Sequence, residues 1–219
     1  MASHGGGSVA AAKGAQMLEF NEDHDLFRAT VREFVSSEIN PYADAWEEEG
    51  IFPARELFTK MGDLGLLGLT YDESWGGGGA DHSYTMILGE EMGRCGSLGV
   101  AMAIGVQTDM ATPALHRFGT DELKERYLRP ALAGHQVASI AVSEPDAGSD
   151  VAGIRTRAVR DGDEWVVNGT KMWITNGTQA DWLCLLARTS DAVSYTHLRA
   201  HETASFISYA VFCLKRGGG

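Results

Sequence analysis

The pattern of this chain changes character once, near Gly134, and that change limits the folds open to it. Before it, apolar residues recur at spacings of three and four, the period of half-buried helices. After it, short β-prone segments alternate with turn residues. Helices first and strands later argue against alternating βαβ winding and for an α+β chain with separate helical and β units.

In the helical half, Leu26, Phe27, Val31, Phe34, Val35 and Ile39 predict one helix over 21–42, capped by Asn21 and ended by Pro41. Pro53 suits the first turn of a second helix that points Leu57, Phe58, Met61 and Leu64 inward and breaks at Gly65 and Gly68. Asp81 predicts the cap of a third, running to about Gly93, after a flexible Ser74-Trp75-Gly76-Gly77-Gly78-Gly79 connection. The small and apolar tract 98–114 reads as a buried helix. Thr120 opens a last one, with Leu123, Tyr127 and Leu128, that closes before Pro130.

In the second half, antiparallel strands are predicted over 139–142, 155–160, 164–167, 171–174 and 182–187. Asp161-Gly162 and Asn168-Gly169 are hairpin signals, because tight primed turns need positive φ. A strand after the second hairpin sets Trp173 and Thr175, two residues apart, on one face.

Composition narrows the function classes. The chain has 219 residues, 44% of them hydrophobic, enough for a core in one domain or two small ones. A formal net charge of -12 without clustered Lys and Arg argues against general nucleic-acid binding. It leaves an anionic ligand open, since backbone N–H groups and hydroxyls can hold one. Cys95, Cys184 and Cys213 lie far apart with no Cys-x-x-Cys pair, which indicates a reducing compartment and not a secreted protein. The sequons at Asn168 and Asn176 are Asn-Gly pairs and read as turns. No apolar run approaches the ~20 residues of a membrane span.

The ends read differently. Residues 1–16 are rich in Gly, Ala and Ser, with Lys13 as the strong cation, and are expected to be a disordered leader. From about Val193, the string Ser194-Tyr195-Thr196-His197-Leu198-Arg199-Ala200-His201 continues neither pattern and is similar to a peptide encoded by sequencing-adapter DNA. Residues 192–219 are therefore expected to be a non-native tail. His197 and His201 have a helical metal-ligand spacing, but Leu198 stands where a zinc-protease motif needs glutamate, and no metal is assigned.

Two segments carry binding-site chemistry. In Val142-Ser143-Glu144-Pro145-Asp146-Ala147-Gly148-Ser149-Asp150, Pro145 forces Glu144 out of helical geometry, Gly148 can take a positive φ that exposes consecutive N–H groups to an anion, and Ser143 and Ser149 offer hydroxyls. Turns use the same residue types, so alone this stretch fits either a turn or a site. In Lys171-Met172-Trp173-Ile174-Thr175-Asn176, an aromatic beside a polar Thr suits the edge of a flat conjugated ring.

Both strings resemble the signatures of the acyl-CoA dehydrogenase family, with further likeness in Leu64-Gly65-Leu66-Leu67-Gly68 and over 107–130; the resemblance covers 17–189. It implies an N-terminal helical domain over 17–133 and an incomplete antiparallel β domain over 134–191, with the family's C-terminal helical bundle missing. It also implies FAD as cofactor and an acyl-CoA substrate, oxidised at its α,β-carbons to a trans-2-enoyl-CoA.

Roles follow from the resemblance residue by residue. The main chain of Ile140, Ala141 and Val142 lines the flavin, and Ser143 bonds to the ring edge. Gly148 and Ser149 contact the pyrophosphate, with Ser149 also facing the CoA arm as a substrate-binding residue. Trp173, Ile174 and Thr175 form the other cofactor-binding segment, Trp173 covering the dimethylbenzene side and Thr175 contacting the ring near its reactive nitrogen. Ile140 departs from the aromatic residue often found there. The family's catalytic glutamate belongs to the missing bundle, so no catalytic residue is assigned; Glu90, Glu91 and Glu144 read as solvated or structural.

The resemblance places Ser74 to Gly79 and Met102 to Met110 near the fatty-acyl side, and the latter is similar to the citronellyl-CoA dehydrogenase branch, although such a stripe also suits plain helix core. An electron-transfer flavoprotein partner, a homo-oligomer and a cytoplasmic or mitochondrial-matrix location are implied for the whole enzyme. An acyl-CoA oxidase or a non-catalytic binding module remains open.

Overall fold

The structure, a computed structural model, describes residues 19–189 and the backbone of a strand at Tyr209–Lys215. Helix α1 (Glu22–Phe34) begins where its cap predicts: the Asn21 side chain accepts the His24 N–H at 3.1 Å, and His24 Nδ1 accepts the Asn21 N–H at 3.1 Å. The helix then widens into an i→i+5 segment (Val35–Ile39), tightens through Asn40–Tyr42 around Pro41, and resumes as α2 (Ala43–Glu49). Val31, Phe34, Val35 and Ile39 are buried, but Leu26 is 69% exposed. It lies one position off the stripe that faces the core.

Helix α3 (Ala54–Asp63) buries Leu57, Phe58 and Met61 as predicted. Leu64 is half exposed because the helix has already ended beneath it. Asp81 caps α4 (His82–Met92) through the Ser83 N–H at 2.8 Å. Next, α5 (Leu98–Gly105) runs through a second wide segment (Val106–Ala111) into α6 (Thr112–Phe118). This tract is not buried all round: Val100, Ala103, Ile104 and Gln107 face the core, whereas Leu98, Met102 and Met110 are exposed.

Thr120 caps α7 (Asp121–Leu123), but the helix does not close before Pro130. A third wide segment (Lys124–Leu128) precedes α8 (Arg129–Leu132), which contains the proline. A proline lacks an N–H and its ring crowds the carbonyl four residues back. At the first turn after a wide segment neither demand is made of it.

Two clusters form the main core. One unites Phe34, Ile39, Phe58, Met61, Leu66 and Ile104 within the helices. The other joins Leu115, Tyr127 and Leu128 to Ala138, Trp182 and Cys184 of the sheet. Each fully buried side chain of this size contributes about 1.5–3 kcal/mol, so the second cluster is a substantial hold of the helices on the sheet.

Four of the strands are β1 (Ala138–Ala141), β2 (Arg157–Asp161), β3 (Glu164–Asn168) and β4 (Trp182–Arg188). The backbone of β5 (Tyr209–Lys215) pairs antiparallel along all of β4. It falls within the stretch expected to be a non-native tail, most of which, with His197 and His201, lies outside the described residues.

The sheet is mixed where antiparallel pairing was predicted throughout. β1 runs parallel to β4, and β2 meets β4 in parallel at Arg157 and Arg188. The β2–β3 hairpin turns at Gly162, φ +60°, as its Asp-Gly signal predicts. The Asn168-Gly169 signal does not make a hairpin, and no strand forms over 171–174. Gly169 serves a close approach instead: an added Cβ there would lie 2.6 Å from the Thr156 Cα.

Candidate functional site

Alternation along β1 sets the site. Ala138 and Ile140 face the helical cluster. Ser139 and Ala141 face the opposite side, where 171–177 packs: the Ser139 hydroxyl donates to the Thr175 carbonyl at 2.5 Å, and Ile174 packs with Ala141, Ala158 and Leu185. The Ile140 and Ile174 side chains both pack into these clusters and leave only main chain for a ligand.

After β1, Glu144 and Ala147 close a four-residue turn around Pro145 and Asp146, exchanging N–H···O bonds of 2.7 and 3.2 Å. Gly148 follows and does not use the positive φ open to a glycine. An added Cβ there would meet nothing within 4 Å, so no packing demand of the chain explains this glycine. Ser149 is exposed beside it, and Ser143 is half-buried.

The second segment runs back onto the first. Met172 N–H donates to the Ser143 carbonyl at 3.0 Å, and Lys171 Nζ donates to the Val142 carbonyl at 2.7 Å and to Glu144 Oε1 at 2.8 Å. Trp173 then adopts φ +58° and Asn176 φ +64°. These two left-handed residues, rather than strand pleating, present Trp173 outward at 83% exposure and Ile174 inward. Trp173 and Thr175 therefore do not share a strand face, and Thr175 is half-buried with its carbonyl taken by Ser139. A bulky residue held left-handed costs about 1–2 kcal/mol, and an exposed indole regains little of it through packing.

Several residues that organise this site had weak sequence signals. Asn176, read as a turn residue, donates from Nδ2 to the Ala103 carbonyl at 3.0 Å and the Ala138 carbonyl at 3.2 Å, joining α5 to β1. Gln107 is buried; its Nε2 donates to the Ala131 and Gln136 carbonyls at 3.0 and 2.9 Å, and its Oε1 accepts the Ala138 N–H at 2.7 Å. Glu144 accepts the N–H groups of Arg155 at 2.5 Å and Thr156 at 2.9 Å. The available signal was opposite charge, one residue in each signature.

Glu144 and Glu91 are structural and buried, not solvated. Burial pushes the Glu144 carboxyl up, but Lys171 and the two backbone N–H groups outweigh it and hold it at about 2. Hydrogen bonds from Arg32, against burial and with Arg28 and Arg94, hold Glu91 at about 2. Both lie below the ordinary value of 4.5, so between these limits the unfolded chain binds more protons. Their stabilisation is complete above pH 4.5 and drains as pH falls towards 2. The urea midpoint is expected to drop through this window, and less steeply in Glu91→Gln; a flat midpoint would contradict both assignments.

An apolar cleft of about 400 Å³ opens between α4 and α5, lined by Leu88, Met92, Leu98, Met102, Ile104 and Met110. Among the described residues, no cluster of three or more His, Cys, Asp or Glu could hold a metal ion, and no helix is long and apolar enough to cross a membrane. Cys95 is a free thiol.

Residues 21–135 match the acyl-CoA dehydrogenase N-terminal domain, and residues 139–207 match the acyl-CoA dehydrogenase middle domain. The chain is 38% identical over 173 residues to the probable acyl-CoA dehydrogenase YngJ of Bacillus subtilis, a match covering 78% of this chain and 45% of that one. It is 38% identical to the mitochondrial long-chain specific acyl-CoA dehydrogenase of Rattus norvegicus, covering 78% of this chain and 39% of the relative. The structure is similar, at a TM-score of 0.74 and 36% identity, to a glutaryl-CoA dehydrogenase of Mycobacterium smegmatis in complex with FADH2, covering 78% of this chain and 44% of that one. The chain thus spans less than half the length of these relatives. Two adjoining domain matches, a helical unit leading into a small sheet, and two signatures folded onto each other place this chain in the acyl-CoA dehydrogenase family.

Proposed function

We propose that this chain is the helical and first β portion of an FAD-dependent acyl-CoA dehydrogenase that removes hydrogen from the α and β carbons of an acyl-CoA. The observation that carries the reading is Trp173, an exposed indole held in a left-handed backbone one residue after the Met172 N–H that bonds to the Ser143 carbonyl. Strain kept without a packing return is a mark of function.

The residues present fit the cofactor. Main chain of Ile140, Ala141 and Val142 lies along the path to Ser143, and Gly148 and Ser149 offer an open, exposed backbone and hydroxyl for a pyrophosphate. Trp173, with the main chain of Ile174 and Thr175, supplies a flat apolar cover and polar groups for a ring. Ser149 is also placed by this reading towards the CoA arm. Bound FAD supplies the two-electron acceptor of the oxidation. The apolar cleft between α4 and α5 has the size and lining of a small-ligand site and is assigned to the acyl chain.

Glu144 is excluded as the base, because it is a buried carboxylate bonded to Lys171 and two N–H groups. The base is assigned to sequence that the relatives have beyond the matched region. Electron-transfer flavoprotein is the proposed acceptor of the electrons. In the full-length gene product, anaerobic acyl-CoA is expected to bleach the flavin absorbance, and air to restore it slowly. Fast reoxidation by oxygen would assign an oxidase; no bleaching by straight or branched acyl-CoA would contradict the reading.

A further inference from the structure

Beneath the site lies a charged pair to which the proposed cofactor contacts assign no role. Glu144 and Lys171 meet at 2.8 Å with side chains only 6% and 7% exposed. We propose that this pair is a positioning clasp, which sets the Trp173 loop and the Ser143 turn in the register that receives the flavin; this rests on the flavin reading above.

One carboxylate gathers three separate stretches of chain. It belongs to the turn after β1, accepts the N–H groups of Arg155 and Thr156 before β2, and bonds to Lys171 ahead of Trp173. Lys171 also reaches the Val142 carbonyl, so its ammonium holds the residues on both sides of Ser143. Met172 then bonds to the Ser143 carbonyl, and the left-handed Trp173 is the next residue. At the far end Asn176 fixes the loop to Ala103 and Ala138. A buried ion pair gives little net stability over a packed apolar pair of the same size, so its return here is geometric. Charge-assisted bonds are short and directional, and they hold the backbone where a methionine and a glutamine would leave it free to shift.

The test uses the full-length protein carrying Lys171→Met, the double variant Glu144→Gln with Lys171→Met, and Glu91→Gln as a control that loses a buried carboxylate elsewhere. The double variant has no unpaired buried charge, so its melting temperature is expected to recover towards that of the parent. Both Lys171 variants are still expected to bind FAD about tenfold or more weakly than the control, with altered flavin absorbance. In the apoproteins, hydrogen exchange at the Met172 amide is expected to quicken about tenfold or more in both. FAD affinity within about twofold of the control, with unchanged Met172 exchange, would overturn the clasp. A parent that binds no FAD, with Met172 exchange quickened in the variants, would sink the flavin reading and leave the clasp standing as a loop-positioning pair.

Discussion

Replacing Gln107 by leucine is expected to lower stability by about 4 kcal/mol, although the two side chains are of similar size. The carboxamide satisfies three backbone groups at once: the carbonyls of Ala131 and Gln136 and the N–H of Ala138. Leucine fills the space and pairs with none of them. Each buried backbone group left without a partner costs about 1–3 kcal/mol, and relaxation recovers part of the sum. The loss falls at the junction, because Gln107 ties the wide turn of the helical unit to the first residue of β1. Urea unfolding of the full-length protein checks it, and a loss below about 1 kcal/mol would contradict it.

Trp173→Gly is expected to act in opposite directions on folding and on cofactor. The indole is exposed, so its removal forfeits little packing, while glycine accepts φ +58° without the Cβ clash. Relief of about 1–2 kcal/mol, less the roughly 0.5–1 kcal/mol that glycine's extra freedom costs, leaves a stability gain of about 0–1.5 kcal/mol. FAD affinity is expected to fall about tenfold or more, because the proposed cover of the ring is gone. A variant less stable than its parent would show that Trp173 is held by packing, and unchanged FAD affinity would remove it from the site.

Local chemistry was the legible part of this chain. Asn21, Asp81 and Thr120 cap helices where their side chains predict, because a cap is decided within three or four residues. The Asp161-Gly162 hairpin formed for the same reason. The failures had two sources, a contact distant in sequence and an irregular helical turn that periodicity does not signal. Asn168-Gly169 has the composition of a hairpin, yet Gly169 is spent on the approach of Thr156, and the following residues leave the sheet to lie across β1. The helix carried past Pro130 because the wide turn before it removed the usual penalty.

The site was legible as residue types and not as geometry. Ser143, Gly148, Ser149 and Trp173 are brought to one region, but by a buried salt bridge and two left-handed residues instead of by a second hairpin. Periodicity has no signal for either device. Lys171 and Glu144 each look like surface charges when read alone, and only their meeting under Ser143 shows what they hold. The Ile140 and Ile174 side chains both point into packed clusters, which leaves only their main chain to meet a ligand.

Whether the Ser143 to Ser149 turn and the Trp173 loop form one edge of an FAD site is read out by titrating full-length apoprotein with FAD in parallel with Gly148→Val. A Cβ added there meets nothing within 4 Å and the position is exposed, so a melting temperature close to the parent's is expected. One FAD per parent subunit is expected, with an affinity about tenfold or more weaker in the variant. Equal FAD binding by the two proteins, or none by the parent, would contradict it.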